Sequence, residues 1–230
     1  MRDYSYSARA VEVTRLDKKR IAAAALKIID RHGVSGFTIR SVADALGVTP
    51  MALYRHVKDK KELAALVIAA AATAVPVPVP TPLGDWREDL WAMAVWLRQS
   101  PLAQPSMQQL YLTYPEFPEE LFRVVDRWIE LWRHSGLDFQ SAVFAAKITN
   151  MTINGLINQE AVLRTLDRPG EAMLARLPNL RVLTNSEFDP DRAFELVVRA
   201  LIQGVHDSLI RVPLQNEAPA RGKVKARRNR

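Results

Sequence analysis

The sequence predicts an all-α fold in two parts, an N-terminal helix-turn-helix domain of three helices and a larger C-terminal helical bundle. Three observations predict it. Apolar residues recur at helical spacing along most of the chain, as in Leu16, Ile21, Ala24, Ala25, Ile28 and Ile29. No segment shows the alternation of a half-buried strand, and there is no internal repeat. The stretch Thr38 to Glu62, TIRSVADALGVTPMALYRHVKDKKE, sets two short helices around a tight turn.

The elements follow in order. A first helix opens at Thr14 or Arg15 and closes at Gly33, packing behind the helix-turn-helix pair. Thr38 caps the first short helix, which runs to Leu46, and Gly47 takes the left-handed terminating conformation without steric cost. Thr49 caps the second short helix, and Pro50 suits its first turn because the missing N–H is unpaired there anyway. Ala43, Leu46, Val48, Leu53 and Val57 supply the apolar contact between the two. Asp59 and Glu62 have capping-box spacing and start a fourth helix to about Ala74. The run VPVPVPTP (Val75 to Pro82) forbids helix and reads either as a semi-rigid spacer or as a packed extended connection.

Asp85 then caps a helix carrying Trp86, Leu90, Met93, Ala94 and Leu97, and Ser100 to Phe117 reads as broken. Pro118 opens a helix to Ser135 with Gly136 as terminator, and Asp138 caps a long helix to about Leu166. Residues 167–188 read as irregular, with a short helix at Gly170 to Arg176. Asp189 and Pro190 start the last helix. The expected division is residues 14–74 for the helix-turn-helix domain with its connecting fourth helix, 75–83 for the linker, 84–211 for the C-terminal domain and 212–230 for a basic tail without apolar content, expected to be disordered.

Composition narrows the function. The 230 residues are 48% hydrophobic, enough for a substantial core, and the absence of cysteine excludes disulfides and thiolate metal sites. The start of the chain has no apolar run of signal-peptide type, and the longest apolar stretch, Leu63 to Val75, is too short to span a bilayer. A cytoplasmic protein without a membrane partner is expected. Residues 1–74 hold 13 Lys/Arg against 7 Asp/Glu, residues 75–215 hold 13 against 17, and residues 216–230 hold 6 against 1. The net charge of +7 is thus confined to the helix-turn-helix region and the tail, the distribution of a phosphate-binding surface. His32, His56, His134 and His206 have no metal-ligand spacing, and there is no Gly-rich phosphate loop, no G-x-S-x-G and no thiol nucleophile. No enzymatic activity, cofactor or metal is expected.

A second helix that is short and polar on its outer side suits a DNA major groove. Tyr54 and His56 lie two apart and can reach phosphates on one strand. Lys60 combines its charge with a helix N-terminus, and Thr38 can offer its hydroxyl and exposed N–H groups in the same way. Arg40 can read guanine, Thr49, Met51 and Ala52 can touch base edges or a thymine methyl, and Arg55 either base or phosphate. The competing readings are a core aromatic for Tyr54, a solvated residue for His56 and a surface ion pair for Arg40. Arg2, Arg9, Arg15 and Lys18 either add minor-groove or phosphate contacts or belong to a solvated arm.

The runs G-x-T-I-R-x-V-A-x-x-L-G-V (Gly36 to Val48), L-Y-R-H-V (Leu53 to Val57) and K-x-K-K-E-L (Lys58 to Leu63) resemble the tetracycline-repressor (TetR) family of transcription regulators. The resemblance is specific over residues 15–70 and implies phosphate contact by Tyr54 and His56. Pro50 and Met51 stand where family members often carry a small residue or glutamine, so the base code does not carry over. The resemblance also implies a C-terminal domain that dimerises and binds a small-molecule effector.

The bundle itself offers candidates for both roles. Trp91, Tyr111, Phe122 and Trp128 are aromatics for a ligand pocket, most aromatics there being simply core. Asn150, Asn154 and Asn158 recur every four residues, a stripe costly to bury unpaired. It lines either a ligand cavity or a subunit interface. In the family this helix and the last one form a four-helix dimer interface, which favours the interface, with Val197 and Leu201 from the last helix. Phe144, Ile148 and Met151 on its other side are then expected to face the pocket. The reading is a dimeric repressor released from a palindromic double-stranded operator by an unknown effector. The alternative is a ligand-independent or architectural DNA-binding protein whose bundle only dimerises.

Overall fold

A computed structural model describes residues 16–212 and residue 214. The N-terminal arm with Arg2, Arg9, Thr14 and Arg15, and nearly all of the basic tail, lie outside the described residues. In chain order the helices are α1 (Lys18–Gly36), α2 (Ile39–Leu46), α3 (Pro50–Tyr54), α4 (Lys60–Ala72), α5 (Trp86–Gln99), α6 (Pro105–Thr113), α7 (Glu119–His134), α8 (Phe139–Leu163), α9 (Glu171–Arg176), α10 (Pro178–Asn185) and α11 (Pro190–Arg211). A 3-10 turn at Pro101–Ala103 precedes α6, and there is no strand among the described residues. The chain forms two compact units, residues 1–71 with 106–118, and residues 72–105 with 119–230.

In the first unit, α1 is capped by Asp17, whose side chain accepts the Arg20 N–H at 2.8 Å, not by Thr14 or Arg15. The preference of an aspartate for the N-cap position explains the later start. The helix breaks at Gly33, where φ is +64°. Thr38 and Ser41 form a reciprocal capping box on α2, and Gly47 at φ +67° ends it. The Val48 N–H donates to the Ala43 carbonyl at 3.0 Å, satisfying an end carbonyl of α2. Thr49 caps α3 with Pro50 in its first turn. Ile21, Ala25, Ile29, Val42, Ala43, Leu53 and Val57 are buried, whereas Leu46 and Val48 keep some exposure.

Residues 106–118, expected to be broken, contain most of α6 and belong to this first unit. Pro105 sits where a helix needs no N–H, so proline here opens a helix rather than preventing one. Ser106 donates to Asp30 at 3.2 Å, Tyr114 packs edge-on against Phe37 at 6.2 Å, and Tyr111 lies parallel to Phe117 at 6.5 Å.

The second unit is a bundle of α5, α7, α8 and α11, with Leu90, Met93, Ala94, Leu131, Trp132, Ala142, Ala145, Ile153, Val198 and Ile202 buried. Asp85, Asp138 and Asp189 cap α5, α8 and α11 through backbone N–H groups. At its centre Thr149 accepts both the Trp128 and Trp132 indole N–H groups at 3.2 Å and donates to the Ala145 carbonyl at 2.6 Å. The proline-rich connection is tethered at two points, although Val75, Pro76, Val79, Thr81 and Pro82 are exposed. Trp96 donates its indole N–H to the Val75 carbonyl at 3.3 Å, while the buried Asp89 carboxylate accepts the Thr81 N–H at 2.9 Å and the Thr81 hydroxyl at 2.6 Å. Where sequence reading expected one short helix in residues 167–188, there are two, α9 and α10, the second opened by Pro178.

Two stability predictions follow from buried polar groups. Thr149→Val keeps the volume but strands two indole N–H groups, and should cost about 3 kcal/mol in urea denaturation; no loss would mean that both indoles find other acceptors. The Tyr111 hydroxyl is buried with no hydrogen-bond partner among the described residues, and burial pushes its pKa well up. The folded state therefore holds Tyr111 neutral while the unfolded chain ionises it near pH ~10, so this stabilising preference for low pH is lost progressively as pH rises past that point. Tyr111→Phe should raise stability at neutral pH by about 1 kcal/mol and lose less stability than wild type on alkaline titration.

Candidate functional site

The helix-turn-helix face is built by caps and one buried residue. α3 has only five residues, yet Leu53 is fully buried and Thr49 accepts the Ala52 N–H at 3.3 Å. With Leu53 directed inward, the opposite side of the helix faces solvent. Met51 is 69% exposed and Tyr54 49%, with Thr49 and Arg55 exposed beside them and Ala52 and His56 half-buried. Tyr54 is thus not a core aromatic. Arg40 is exposed on α2, its Nε at 4.0 Å from Asp44, an ion pair too solvated to hold the side chain in place. The hydroxyl of Thr38 is engaged in its cap, accepting the Ser41 N–H at 3.0 Å. Of the first-turn N–H groups of α2, that of Ser41 is thus taken, and those of Ile39 and Arg40 remain for an anion.

Lys60 differs from expectation. Its ammonium lies over the Phe37 ring at 5.5 Å and the Tyr114 ring at 5.2 Å, so the side chain is tied within its own unit by cation–π contact. The neighbouring Lys58 and Lys61 are the exposed cations at the start of α4. Thr38, Arg40, Thr49, Met51, Tyr54 and Arg55 remain open to solvent on the helix-turn-helix.

The residues expected to line a pocket do not share one cavity. Trp128 is buried in the bundle centre against Thr149, Phe122 is exposed on α7, and Tyr111 belongs to the first unit. Phe144 and Ile148 line an open groove of about 420 Å³ with Leu201, Gly204 and Val205 of α11, and Met151 is 74% exposed. This outer side of α8, rather than an enclosed pocket wall, is where the helical repeat puts them once Ala145, Thr149 and Ile153 turn inward. Val197 is exposed on α11. Asn150, Asn154 and Asn158 are half-buried, and the Asn154 amide donates to the Asn150 carbonyl at 2.9 Å and to the Asn150 side chain. Part of the amide stripe is therefore satisfied within its own helix.

Trp91 does line a cavity, a cleft of about 710 Å³ bounded by α5, the end of α8 and the start of α11. Sequence reading missed its polar members, Arg98, Gln99, Gln104 and Glu160. Arg98 donates through Nε and Nη2 to Glu160 at 3.2 and 2.9 Å and through Nη1 to Asp191 at 2.8 Å. Its guanidinium lies 4.6 Å over Phe194, which is 5.9 Å from Trp91. Arg199 covers Trp91 at 4.7 Å, and hydrogen bonds to Glu88 and Glu195 raise its pKa. The available signal was Glu160 four residues before Arg164 on α8, a pair that marks a charged helix end. Among the described residues no cluster of three His, Cys, Asp or Glu side chains forms a metal site, and no helix is long and apolar enough to cross a membrane.

Comparison with known proteins matches both units. Residues 21–67 match the family described as "Bacterial regulatory proteins, tetR family", and residues 78–209 match the "Tetracyclin repressor-like, C-terminal domain". The tetracycline repressor class A from transposon 1721 of Escherichia coli is 28% identical over 200 residues, covering 84% of this chain and 92% of the relative. The HTH-type transcriptional repressor DrrR1 of Streptomyces coeruleorubidus is 30% identical over 175 residues, covering 74% and 65%. The crystal structure of apo ActR from Streptomyces coelicolor superposes with a TM-score of 0.65 at 26% identity, over 85% of this chain and 97% of that one. With both domain descriptions matched in order, the chain belongs to the TetR family of DNA-binding transcriptional regulators.

Proposed function

We propose that this regulator is a dimeric repressor released from a palindromic operator by a small molecule. The observation that carries the reading is the solvent-facing side of α3, where Thr49, Met51, Tyr54 and Arg55 stand clear of the buried Leu53. A helix of five residues reads only a few base pairs, too few for useful specificity, and two-fold repetition doubles the readout. The outer side of α8 and α11, with Phe144, Met151, Leu196, Val197 and Leu201, offers apolar surface for a second copy.

In this reading Tyr54, His56 and the α2 start at Thr38 hold phosphates. Arg40, Thr49, Met51 and Ala52 face base edges, and Arg55 reaches either. Lys60 supports the site by bracing Phe37 and Tyr114 at the base of α4. Support for ligand release comes from the relatives, since the matched tetracycline repressors are named for a small molecule and ActR has been crystallised with actinorhodin. An effector displaces DNA only by its differential affinity for the two conformations of the dimer.

Selection of bound sites from a random duplex library, with wild type and Tyr54→Ala at fixed salt, tests the operator. A palindromic motif is expected for wild type, with binding about tenfold weaker in the variant and a salt slope shallower by about one unit per lost phosphate contact. No enriched motif, or one indifferent to Tyr54, rules the reading out. Met51→Ala should change base preference at one position of each half-site without changing the salt slope, measured in the same selection.

A further inference from the structure

The cleft beside Arg98 has the construction of a ligand site. Its volume of about 710 Å³ suits a small molecule. Two aromatic side chains, Trp91 and Phe194, form a wall of rings inclined at 47°, with Arg199 over the first and Arg98 over the second. Arg98 stands at that wall, and its side chain is only 19% exposed. Its two bonds to Glu160 run to a carboxylate that is itself only 18% exposed, so this pair is a fixed strut between α5 and α8. The third bond is of a different kind. Asp191 is 86% exposed, so the carboxylate on Nη1 is held against full solvent competition and is readily exchanged.

The cleft's other charges are mostly engaged. Glu160 also receives Arg164, Asp189 caps α11, and Glu195 pairs with Arg199. The Arg192 guanidinium, also lining the cleft, makes no ion pair among the described residues. A positively charged donor with one exchangeable partner, a second arginine outside any ion pair among the described residues, and two aromatic rings with guanidinium groups beside them together select for an acid on an aromatic ring.

We propose that this cleft binds a planar aromatic carboxylate, whose acid group replaces Asp191 on Arg98 Nη1 while its ring lies against Trp91 and Phe194. Binding there exchanges a contact between α5 and α11 for one between α5 and the ligand. The carboxylate site is thus a direct handle on the packing of α11. The binding claim stands on the cleft alone; its consequence for DNA rests on the ligand-released repressor reading.

The test uses 2-naphthoate as probe, with the neutral isostere 2-naphthamide as control, in calorimetric titration of the full-length protein without DNA. Naphthoate should bind at least about tenfold tighter than the amide, the difference between a charge-assisted and a neutral hydrogen bond. Asp191→Asn removes the competing carboxylate but leaves the Arg98–Glu160 strut intact, and should tighten naphthoate about two- to fivefold. A merely structural cleft would not respond in that direction. Arg98→Gln should abolish binding, with circular dichroism reporting whether that variant folds. The proposal is overturned by no naphthoate binding up to about 5 mM, by equal affinity for acid and amide, or by weaker binding in Asp191→Asn. Operator release by naphthoate, measured separately, tests the regulator reading without bearing on occupancy of the cleft.

Discussion

A helix of five residues cannot hold itself together in water, because nucleation costs more than its few internal hydrogen bonds return. The helix α3, whose exposed side is proposed here to read DNA, is such a helix, so its conformation is imposed from outside. Gly47 turns the chain, Thr49 and Pro50 satisfy the first turn, and Leu53 locks the inner side into the domain core. Every exposed side chain of α3 inherits its position from those local devices. The fold tolerates change at the exposed Met51 or Arg55, but hardly at Gly47 or Leu53.

That asymmetry also explains what was legible in the sequence. Caps and turns depend on residues three or four apart, so Thr38, Thr49, Asp85, Asp138 and Asp189 announce their helices directly. The all-α architecture and the helix-turn-helix face were readable for the same reason. What escaped depends on partners far along the chain. Lys60 looks like a free phosphate clamp until Tyr114 arrives beside Phe37. Arg98 looks like a last-turn helix charge until Glu160 and Asp191 converge on it. The amide stripe on α8 suggested a distant partner, yet Asn154 turns back on Asn150 within one turn. Pro105, within the stretch expected to be broken, opens α6 because a proline's effect depends on whether its missing N–H was needed.

The second unit solves two polar problems in opposite ways. At its centre a single hydroxyl serves two tryptophans, so the interior is filled and its polar groups are mutually committed. At the edge, between α5 and α11, the polar groups are joined through Arg98–Asp191, Arg199–Glu88 and Arg87–Gln203, contacts that solvent can enter. A filled core beside a solvated polar seam is the arrangement that the proposed ligand response requires.

The connection between residues 75 and 82 has a consequence of another kind. Its prolines at 76, 78, 80 and 82 have no N–H to donate, so the segment is held by few points, Trp96 at Val75 and Asp89 at Thr81. With both ends tethered to the same helix, the intervening residues act as a gauge of fixed length. Adding or deleting one residue there breaks a tether and strips the buried Asp89 carboxylate of its two Thr81 donors, leaving it the His134 ring at 3.5 Å, whereas the exposed turn around residues 165–170 has no such constraint. Length change in a lineage of such proteins should therefore accumulate after α8 and be purged between α4 and α5.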